Sequence, residues 1–223
     1  MVTFLEFSKR LARGQLKNAS CVDDNTPGTI SAERIDEILE YVNQGLVDLS
    51  TRQALITKTI DLTFVDAQHT YVLSPDSVGS YLDATETDEF TDNFVKVIEI
   101  VDAEGNKHLT DTTGHIMTPS YNVIRFTTSK MDEIGPKVRI RYQATHEKIN
   151  TDGSMSIPPN LEIALQLFVA SLYLSHMNSE ESISKGEKYF GSYLRHLGLD
   201  TDRDLSSTSE VEEDTRLEDR GFV

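Results

Sequence analysis

Apolar residues follow a helical period at the two ends of the chain and a strand period in the middle. Near the N-terminus, Thr3 and Glu6 have the spacing of a capping box, which predicts a helix over residues 4–17. Ser31 stands where it can cap a second helix. The apolar positions of that second helix recur with the spacing of a core-facing stripe: Ile35, Ile38, Leu39, Val42, Leu46 and Leu49.

The middle of the chain, residues 55–150, alternates between apolar and polar positions. In the segment TKTIDLTFV, Ile60, Leu62 and Phe64 share one side of a strand. Further strands are predicted in HTYVLS, NFVKVIEIVD, YNVIRFTT and KVRIRYQA, and DAEGNK has the composition of a hairpin turn. The last strand has one basic face, formed by Lys137, Arg139 and Arg141. This pattern predicts an inserted antiparallel β module, either a sandwich or a barrel.

A second pair of helices begins in SIPPNLEIALQLFVASLYLSHM. Pro159 suits the first turn of a helix, where a missing N–H costs nothing. Glu162 is the only charged residue in 161–177, so this helix lacks the polar face of a surface helix. It also falls short of the about 20 apolar residues that a membrane-spanning helix needs. Ser179 can cap the last helix. The apolar stripe of the last helix consists of Ile183, Phe190, Tyr193, Leu194 and Leu197.

Two amphipathic helix pairs separated by a β module bury their stripes best against each other. The predicted fold is therefore α+β. A four-helix bundle made of residues 1–54 and 151–198 carries the β module of residues 55–150 as an insertion. Residues 199–223 form an acidic, extended C-terminal arm with few apolar residues, which is expected to lack stable structure when alone.

The balance of charge narrows the class of partner. The chain has 21 Lys and Arg residues against 37 Asp and Glu residues, a formal net charge of −16. This charge argues against a protein whose whole surface binds duplex DNA or anionic membranes. Cys21 is the single cysteine, so neither an intrachain disulfide nor a structural zinc site is expected. The opening segment MVTFLEFSKRLARGQL has charges where a secretory signal needs an apolar run, so export by that route is not expected.

The sequence has no catalytic pattern: it lacks a phosphate-binding glycine loop and the HExxH spacing. The adjacent His146 and Glu147 come nearest to an acid–base or metal pair, but neighbouring strand residues point to opposite faces. Acidic neighbours should raise the pKa of the Cys21 thiol, which argues against a nucleophile. The chain is therefore predicted not to be an enzyme and to hold no cofactor or metal.

Two charged stretches have a plain explanation and a functional one. The run DATETDEFTDN, residues 83–93, is interpreted as a solvated loop, although its carboxylates are also hard ligands for calcium. Lys9, Arg13 and Lys17 recur every four residues and share one helix face. They fit either phosphate groups or the acidic first half of the second helix, and the second pairing is favoured.

Three segments, in their order along the chain, resemble the head-to-tail adaptor proteins of tailed bacteriophages, also called connector or head-completion proteins. They are IDLTFVDAQHTYVLSPD, in which a strand and a short turn lead to Tyr71-x-Leu73-x-Pro75-Asp76; a late strand ending in RIRYQA; and SIPPNLEIALQLFVASLYL. In that family a further helix with aromatic residues, here KGEKYFGSYL, follows the proline-started one. The resemblance spans residues 3–198 and rests on the order of the elements more than on single residues.

The resemblance implies a structural virion protein of the neck, made in the host cytoplasm. It would assemble as a homo-oligomeric ring of about twelve copies beneath the portal protein. The ring would provide the platform on which a tail nozzle or tail tube protein docks. Genomic DNA would pass through it during ejection without specific binding, and the acidic charge of the chain suits that passage. No membrane and no cofactor would take part.

A ring gives each subunit two like neighbours, which offers an explanation for the apolar proline-started helix. One side of this helix is predicted to bury inside the subunit: Leu165, Phe168 and Leu172. The opposite side is predicted to lie toward the neighbouring copy: Leu167, Ala170 and Leu174. Burial of both sets within one chain would instead make this a central core helix with no bearing on assembly.

The apolar residues of the acidic arm are predicted to bind the portal by ordering on it: Leu205, Val211, Leu217 and Phe222. Two other functions stay open, namely another phage tail structural subunit, such as a tube or baseplate protein, and an oligomeric carbohydrate-binding module. The helices at both ends disfavour a tube protein. The lack of tryptophan disfavours a carbohydrate-binding module, although three tyrosines could stack on sugars: Tyr71, Tyr81 and Tyr121.

Overall fold

The structure is a computed structural model that describes residues 1–84, 90–91, 93–108 and 114–202. Over these residues the chain is α+β, with five α-helices and three antiparallel sheets. The helices are α1 (Phe4–Arg13), α2 (Ile35–Arg52), α3 (Thr128–Ile134), α4 (Pro159–Ser175) and α5 (Glu180–Asp202). The strands are β1 (Val2–Thr3), β2 (Ile56–Thr63), β3 (Thr70–Val72), β4 (Leu82–Ala84), β5 (Phe94–Asp102), β6 (Lys107–His108), β7 (Ile116–Ser120), β8 (Val123–Phe126), β9 (Lys137–Ala144) and β10 (Ser154–Met155).

Local sequence signals explain where three of the helices begin. Thr3 and Glu6 form the predicted capping box, in which Glu6 N–H donates to Thr3 Oγ1 over 3.2 Å and Thr3 N–H donates to Glu6 Oε2 over 3.4 Å. α4 begins at Pro159, as predicted. Ser179 caps α5, because its hydroxyl accepts a hydrogen bond from Ser182 N–H over 3.1 Å.

Other predicted helix boundaries are wrong for local reasons. α1 ends earlier than predicted because Gly14 leaves the helical conformation. Ser31 does not cap α2, which begins only at Ile35. The backbone N–H of Ser31 donates to Cys21 O over 2.8 Å, so the chain at this point still belongs to the preceding loop. α5 extends to Asp202, beyond its predicted end.

One hydrophobic core draws on both ends of the chain. α1, α2, α4 and α5 all contribute buried side chains to it, and α4 packs against the other three helices. Two glycines let the neighbouring helices approach α4 closely. A Cβ at Gly45 of α2 would lie 2.5 Å from Leu165 Cδ1, and one at Gly186 of α5 would lie 2.6 Å from Ser175 Oγ. α4 is therefore covered over most of its surface by the chain itself, although Ile163 is 49% exposed.

A second hydrophobic core draws its buried side chains from the two larger sheets and the segments around them. The five-stranded sheet has the order β4-β2-β9-β5-β6 and the three-stranded sheet the order β3-β8-β7, whereas β1 and β10 pair separately. Ile60 and Leu62 are fully buried, which confirms the alternating pattern. The middle of the chain is not all-β as predicted, because α3 lies between β8 and β9. Gly135, at φ 91°, and Pro136 end α3. No closed barrel occurs in the described part.

The end of α2 is capped by a side chain from β9. Gln143 is 1% exposed, and its Nε2 amide group donates to backbone carbonyls in and just after the last turn of α2, three of which lie within 3.2 Å of the nitrogen. Those carbonyls belong to Ser50, Thr51 and Gln53. Carbonyls at a helix C-terminus have no partner inside the helix, so this amide supplies a donor to those of Ser50 and Thr51, whereas Gln53 O also accepts from Leu55 N–H over 2.7 Å.

Two further contacts join α2 to the segment that follows β9. Ser50 Oγ accepts a hydrogen bond from His146 N–H over 3.1 Å. The side chain of Asn43 donates to Ile149 O over 3.2 Å and accepts from Ile149 N–H over 2.9 Å, as a strand backbone would. Asn43 and Ser50 are both buried. Together with Gln143, these contacts form what we call the α2 clamp, which joins the two cores.

Candidate functional site

The side of α4 that was predicted to face a neighbouring copy is already covered within one chain. Ala170 and Leu174 are 0% and 6% exposed, and Leu167 is half-buried. The side predicted to face the interior is buried to a similar degree, since Leu165 and Phe168 are 0% and 9% exposed and Leu172 is half-buried. Both sets are buried because α1, α2 and α5 surround α4. α4 is therefore a central core helix, and its composition gives no support to an assembly surface.

The single charge of α4 has a partner that the sequence analysis missed. Arg10 Nη1 of α1 lies 2.6 Å from both carboxylate oxygens of Glu162, and Gln166 Nε2 donates to Glu162 Oε1 over 3.2 Å. The hydrogen bond from Arg10 to this carboxylate, and the attraction between the two charges, raise the pKa of the guanidinium. A lone charge in an apolar helix signals that a counter-charge exists, since an unpaired buried carboxylate is costly. The position of Glu162 in the sequence does not show which basic residue is its partner.

An uncovered apolar surface lies on α5. Of its predicted stripe, Tyr193 and Leu197 are buried, whereas Ile183, Phe190 and Leu194 are 41%, 41% and 42% exposed. The spacing of these three places them on one side of the helix. We call Ile183, Phe190 and Leu194 the α5 face. Three of the five residues of the predicted stripe are therefore left partly exposed by the described part of the chain.

Packed aromatic rings link the α5 face to α2. The Phe190 ring lies 5.9 Å from the Tyr193 ring, which meets the Phe168 ring edge-on at 5.2 Å. Phe168 also lines a surface depression of about 440 Å³ beside Val47 of α2. The Tyr193 hydroxyl donates to the carboxylate of Asp48, and burial, followed by this contact, raises the pKa of Tyr193. The depression and the α5 face are thus connected through the core.

Exposed charges of opposite sign stand on the two helices. α5 exposes Lys185, Lys188 and Arg195, and the outer side of α2 exposes Asp36 and Glu40. Within the described ranges, none of the five takes part in an ion pair. α5 also exposes Glu180, Glu181 and Glu187, so its surface carries both signs of charge beside the apolar side chains.

The predicted pairing of the α1 basic stripe with α2 is not found within the chain. Among the residues that the structure describes, Lys9, Arg13 and Lys17 form no ion pair. Glu37, in the acidic half of α2, is instead bound by Arg34 at 3.0 Å. The stripe is also shorter than predicted, because α1 ends at Arg13 and Lys17 lies beyond it.

The basic face of β9 is engaged by carboxylates of neighbouring strands. Arg139 Nε donates to Asp61 Oδ1 over 2.9 Å, and Lys137 Nζ lies 3.3 Å from Asp61 Oδ2. Arg141 Nη1 donates to Glu99 Oε1 over 3.3 Å. Burial alone would raise the pKa of Asp61, but the hydrogen bonds from Arg139 and Lys137 outweigh it and hold that pKa below its ordinary value of 3.8. All three basic side chains of β9 are therefore paired with carboxylates of the same sheet.

The weak catalytic candidates do not converge on a shared site. His146 Nδ1 lies 2.7 Å from the backbone oxygen of Glu147, whose carboxylate pairs with Lys58 at 3.2 Å. Cys21 is 0% exposed, and its pKa is raised as predicted, although burial is the main cause and the acidic neighbour Glu37 a lesser one. The described residues contain no group of three or more His, Cys, Asp or Glu side chains arranged to hold a metal ion.

The three tyrosines considered for sugar binding do not share a surface. Tyr71 is fully buried, and its hydroxyl donates to Gln68 O over 2.8 Å. The Tyr81 ring packs edge-on against Tyr71 at 5.3 Å. Tyr121 is 64% exposed and is the one of the three that is open to solvent. The carbohydrate-binding alternative therefore loses its stacking platform.

Two predicted regions lie outside the described residues. They are most of the acidic run of residues 83–93 and the arm residues Leu205, Val211, Leu217 and Phe222.

Comparison with models of known protein families and with curated proteins finds no match to this chain. None of the helices in the described part combines the length and the hydropathy that crossing a bilayer requires. Support for a function therefore comes from the geometry and from the resemblance of the sequence segments.

Proposed function

We propose that the protein is a structural head-to-tail adaptor of a tailed bacteriophage. In this proposal it forms a ring below the portal protein and gives the tail nozzle or tail tube a docking platform, with no catalytic role. The observation that carries the proposal is the architecture: one hydrophobic core closes over helices from both ends of the chain, and a β module with its own core is inserted between them. This is the arrangement that the resemblance implies.

The proposal includes a finer description of the fold. α1, α2, α4 and α5 act as a four-helix bundle that forms the body of each subunit. The five-stranded and three-stranded sheets act as a sandwich that projects from the body. Support comes from the two separate cores, one shared by the four helices and one shared by the two sheets.

A docking platform has to hold its binding surface at a fixed angle to the ring. The α2 clamp meets this need, because Gln143, Ser50 and Asn43 connect the helical core to the end of β9 through buried hydrogen bonds. Buried polar contacts of this kind fix one geometry, since a displaced partner would leave an unpaired group. The clamp therefore favours a β module that keeps a fixed orientation relative to the helical core.

Charge supports the passage of DNA through the ring. The chain carries a formal net charge of −16, which repels a polyanion. The basic residues of β9 are paired with Asp61 and Glu99, so this face offers DNA no row of unpaired cations. Genomic DNA would therefore cross the ring without specific binding.

The acidic arm completes the proposal as the segment that binds the portal. Because α5 runs to Asp202, a deletion that spares the helix begins at residue 203. Removing residues 203–223 from the chain is expected to abolish portal binding. The thermal unfolding transition of the shortened protein, followed by circular dichroism, should stay unchanged. A matched variant keeps the arm but replaces Leu205, Val211, Leu217 and Phe222 by serine, and it should also fail to bind. Binding retained by both variants would exclude this role for the arm.

Electron microscopy of the full chain mixed with candidate portal rings tests the function as a whole. The expected result is an added layer with the rotational symmetry of the portal. Tail tubes or nozzle proteins added afterwards should attach to that layer and not to the bare portal. Attachment of tail proteins to portals that lack this chain would refute the adaptor role.

A further inference from the structure

We propose that a pocket at one end of the β module binds an arginine side chain of a partner protein. The pocket lies between the loop that follows β2 and the end of α3, and we call it the β2–α3 pocket. Six residues supply its walls and its charge: Phe64, Val65, Asp66, Met131, Asp132 and Pro136. The proposal deepens the adaptor function, on which the choice of partner rests, because the arginine would belong to the tail protein that docks on the ring.

The pocket lies at the end of the β module that is remote from the α2 clamp. Pro136 lines the pocket, and β9 begins at the next residue, Lys137. The same strand reaches the clamp at Gln143, about 20 Å further along at about 3.3 Å per residue. The pocket is therefore separated from the helical core by nearly the whole length of β9.

The pocket has the size and the apolar walls of a binding site. Its volume is about 580 Å³, and ligand pockets in proteins commonly measure about 300–1,000 Å³. Phe64 and Met131 are half-buried, and Val65 is 41% exposed. Apolar walls of this kind pack against the methylene groups of a long side chain while its charged end stays in contact with water.

Two carboxylates give the pocket a negative charge. Asp66 and Asp132 are exposed, and in the part of the chain that the structure describes neither forms an ion pair. Among the described residues that line the pocket there is no lysine or arginine. His69 also lines it and adds a positive charge only when its imidazole is protonated.

The basic residues that flank the pocket in the sequence are already bound to other carboxylates. Lys130 Nζ lies 2.6 Å from Glu133 Oε1. Lys137 Nζ lies 3.3 Å from Asp61 Oδ2. The carboxylates of the pocket are therefore available to a cation from outside the chain.

A buried tyrosine fixes the loop that carries Asp66. Tyr71 is 0% exposed, and its hydroxyl accepts a hydrogen bond from Val65 N–H over 3.0 Å and donates to Gln68 O over 2.8 Å. Within this loop Ala67 has φ 58°, a conformation that residues other than glycine rarely adopt. Because these contacts hold the loop before a ligand arrives, binding costs less conformational entropy.

Arginine is the side chain that matches this combination of groups. Its methylene groups suit the apolar walls, its planar guanidinium can stack on the Phe64 ring, and its five N–H donors suit two carboxylates. Nucleic acids and anionic lipids would be repelled by the same carboxylates. Arginine is also enriched among the residues that contribute most to protein–protein binding.

Nuclear magnetic resonance titration of the full chain tests the site. The protein, labelled with nitrogen-15, is titrated with N-acetylarginine amide and separately with N-acetylnorleucine amide, whose apolar side chain carries no charge. The arginine compound should shift the amide signals of residues 65–68 and 131–135 to saturation. The norleucine compound should bind at least several-fold more weakly. Equal affinities, or saturable shifts confined to other residues, would overturn the proposal.

Two double variants separate the pocket from the negative charge of the whole chain. Asp66→Asn with Asp132→Asn should weaken binding of the arginine compound at least several-fold. Asp76→Asn with Asp152→Asn removes the same charge at two exposed positions outside the pocket and should leave the affinity unchanged. Equal losses in the two double variants would show attraction to the acidic chain in general and would overturn the proposal.

The two proposals fail separately. Binding of the arginine compound by a chain that adds no layer to portal rings would keep the site and exclude the adaptor function. A portal layer to which tail proteins attach, formed by a chain that does not bind the arginine compound, would do the reverse.

Discussion

Replacing Gly186 by alanine places a methyl group where α5 crosses α4. The added Cβ would lie 2.6 Å from Ser175 Oγ, 3.0 Å from Ser171 O and 3.1 Å from Ser175 N, whereas ordinary contacts begin at 3.4 Å. The serine hydroxyl can rotate away, but the backbone oxygen and nitrogen belong to α4. The helices must therefore separate by a few tenths of an ångström. Gly191 lies on the same helix, and a Cβ there would meet nothing within 4 Å.

The comparison between these two glycines isolates the packing cost. Alanine is favoured over glycine inside a helix by about 0.5–1 kcal/mol, and this gain applies to both sites. Overpacking at a tight contact costs about 1–3 kcal/mol and applies only to Gly186→Ala. We expect Gly186→Ala to lower the free energy of unfolding by about 1 kcal/mol and Gly191→Ala to raise it by about 0.5–1 kcal/mol.

Urea unfolding followed by circular dichroism measures both variants against the unmodified chain. A difference of about 1–3 kcal/mol between them should appear as a shift in midpoint without a change in the slope. In thermal unfolding, each kcal/mol corresponds to about 2–4 °C for a chain of this size. If Gly186→Ala were as stable as Gly191→Ala, α5 would not cross α4 at Gly186, and the description of the helical core would be wrong.

Three further predictions concern polar contacts. Arg10→Ala should lower the melting temperature more than Glu162→Gln does, because the first leaves a buried carboxylate unpaired and the second leaves a cation that water can reach. The pKa values of Asp61 and Glu99 lie below their ordinary 3.8 and 4.5 because hydrogen bonds from basic side chains outweigh burial, so stability should be constant at neutral pH and fall as the pH drops through and below these values. Gln143→Met should cost about 1–3 kcal/mol in urea unfolding, since it removes the side-chain donor from the carbonyls of Ser50 and Thr51 at the end of α2.

Each of these predictions has a control. The double variant of Arg10→Ala with Glu162→Gln should recover part of the loss, and no recovery would contradict the pairing. Asp61→Asn should reduce the loss of unfolding free energy that occurs as the pH falls. An unchanged loss would mean that Asp61 does not contribute to it. Gln44→Met changes an exposed glutamine of α2 in the same way as Gln143→Met and should be neutral within about 0.5 kcal/mol. Equal effects of the two would exclude the cap.

Periodicity predicted the elements because burial depends on side-chain spacing. The alternation of Ile60 and Leu62 and the capping box of Thr3 and Glu6 are local patterns, and the structure confirms both. The short helix α3 was missed because seven residues between two strands carry too little pattern to identify a helix.

Other features could not be predicted because they depend on tertiary packing. Gln143 follows the basic positions of β9 and would be expected to face solvent, yet it is buried because the end of α2 lies beside it. The spacing of Phe190 and Tyr193 places them in one stripe, but the position of α4 decides that the first is exposed and the second buried. A sequence pattern identifies an apolar side of a helix and does not state how much of it the same chain will cover.

The ion pair between Arg10 and Glu162 has a consequence for the order of folding. Its partners are 152 positions apart, so α1 cannot join the helical core until the ribosome has made α4. The β-sheet core, in contrast, draws on residues that all emerge before α4. We therefore expect the β module to acquire structure first during synthesis, while α1 and α2 wait with their apolar sides uncovered and are open to chaperones. Limited proteolysis of ribosome-bound chains arrested before α4 has emerged should find β2 and β9 protected and α1 cleaved, and protection of α1 in such chains would contradict this order.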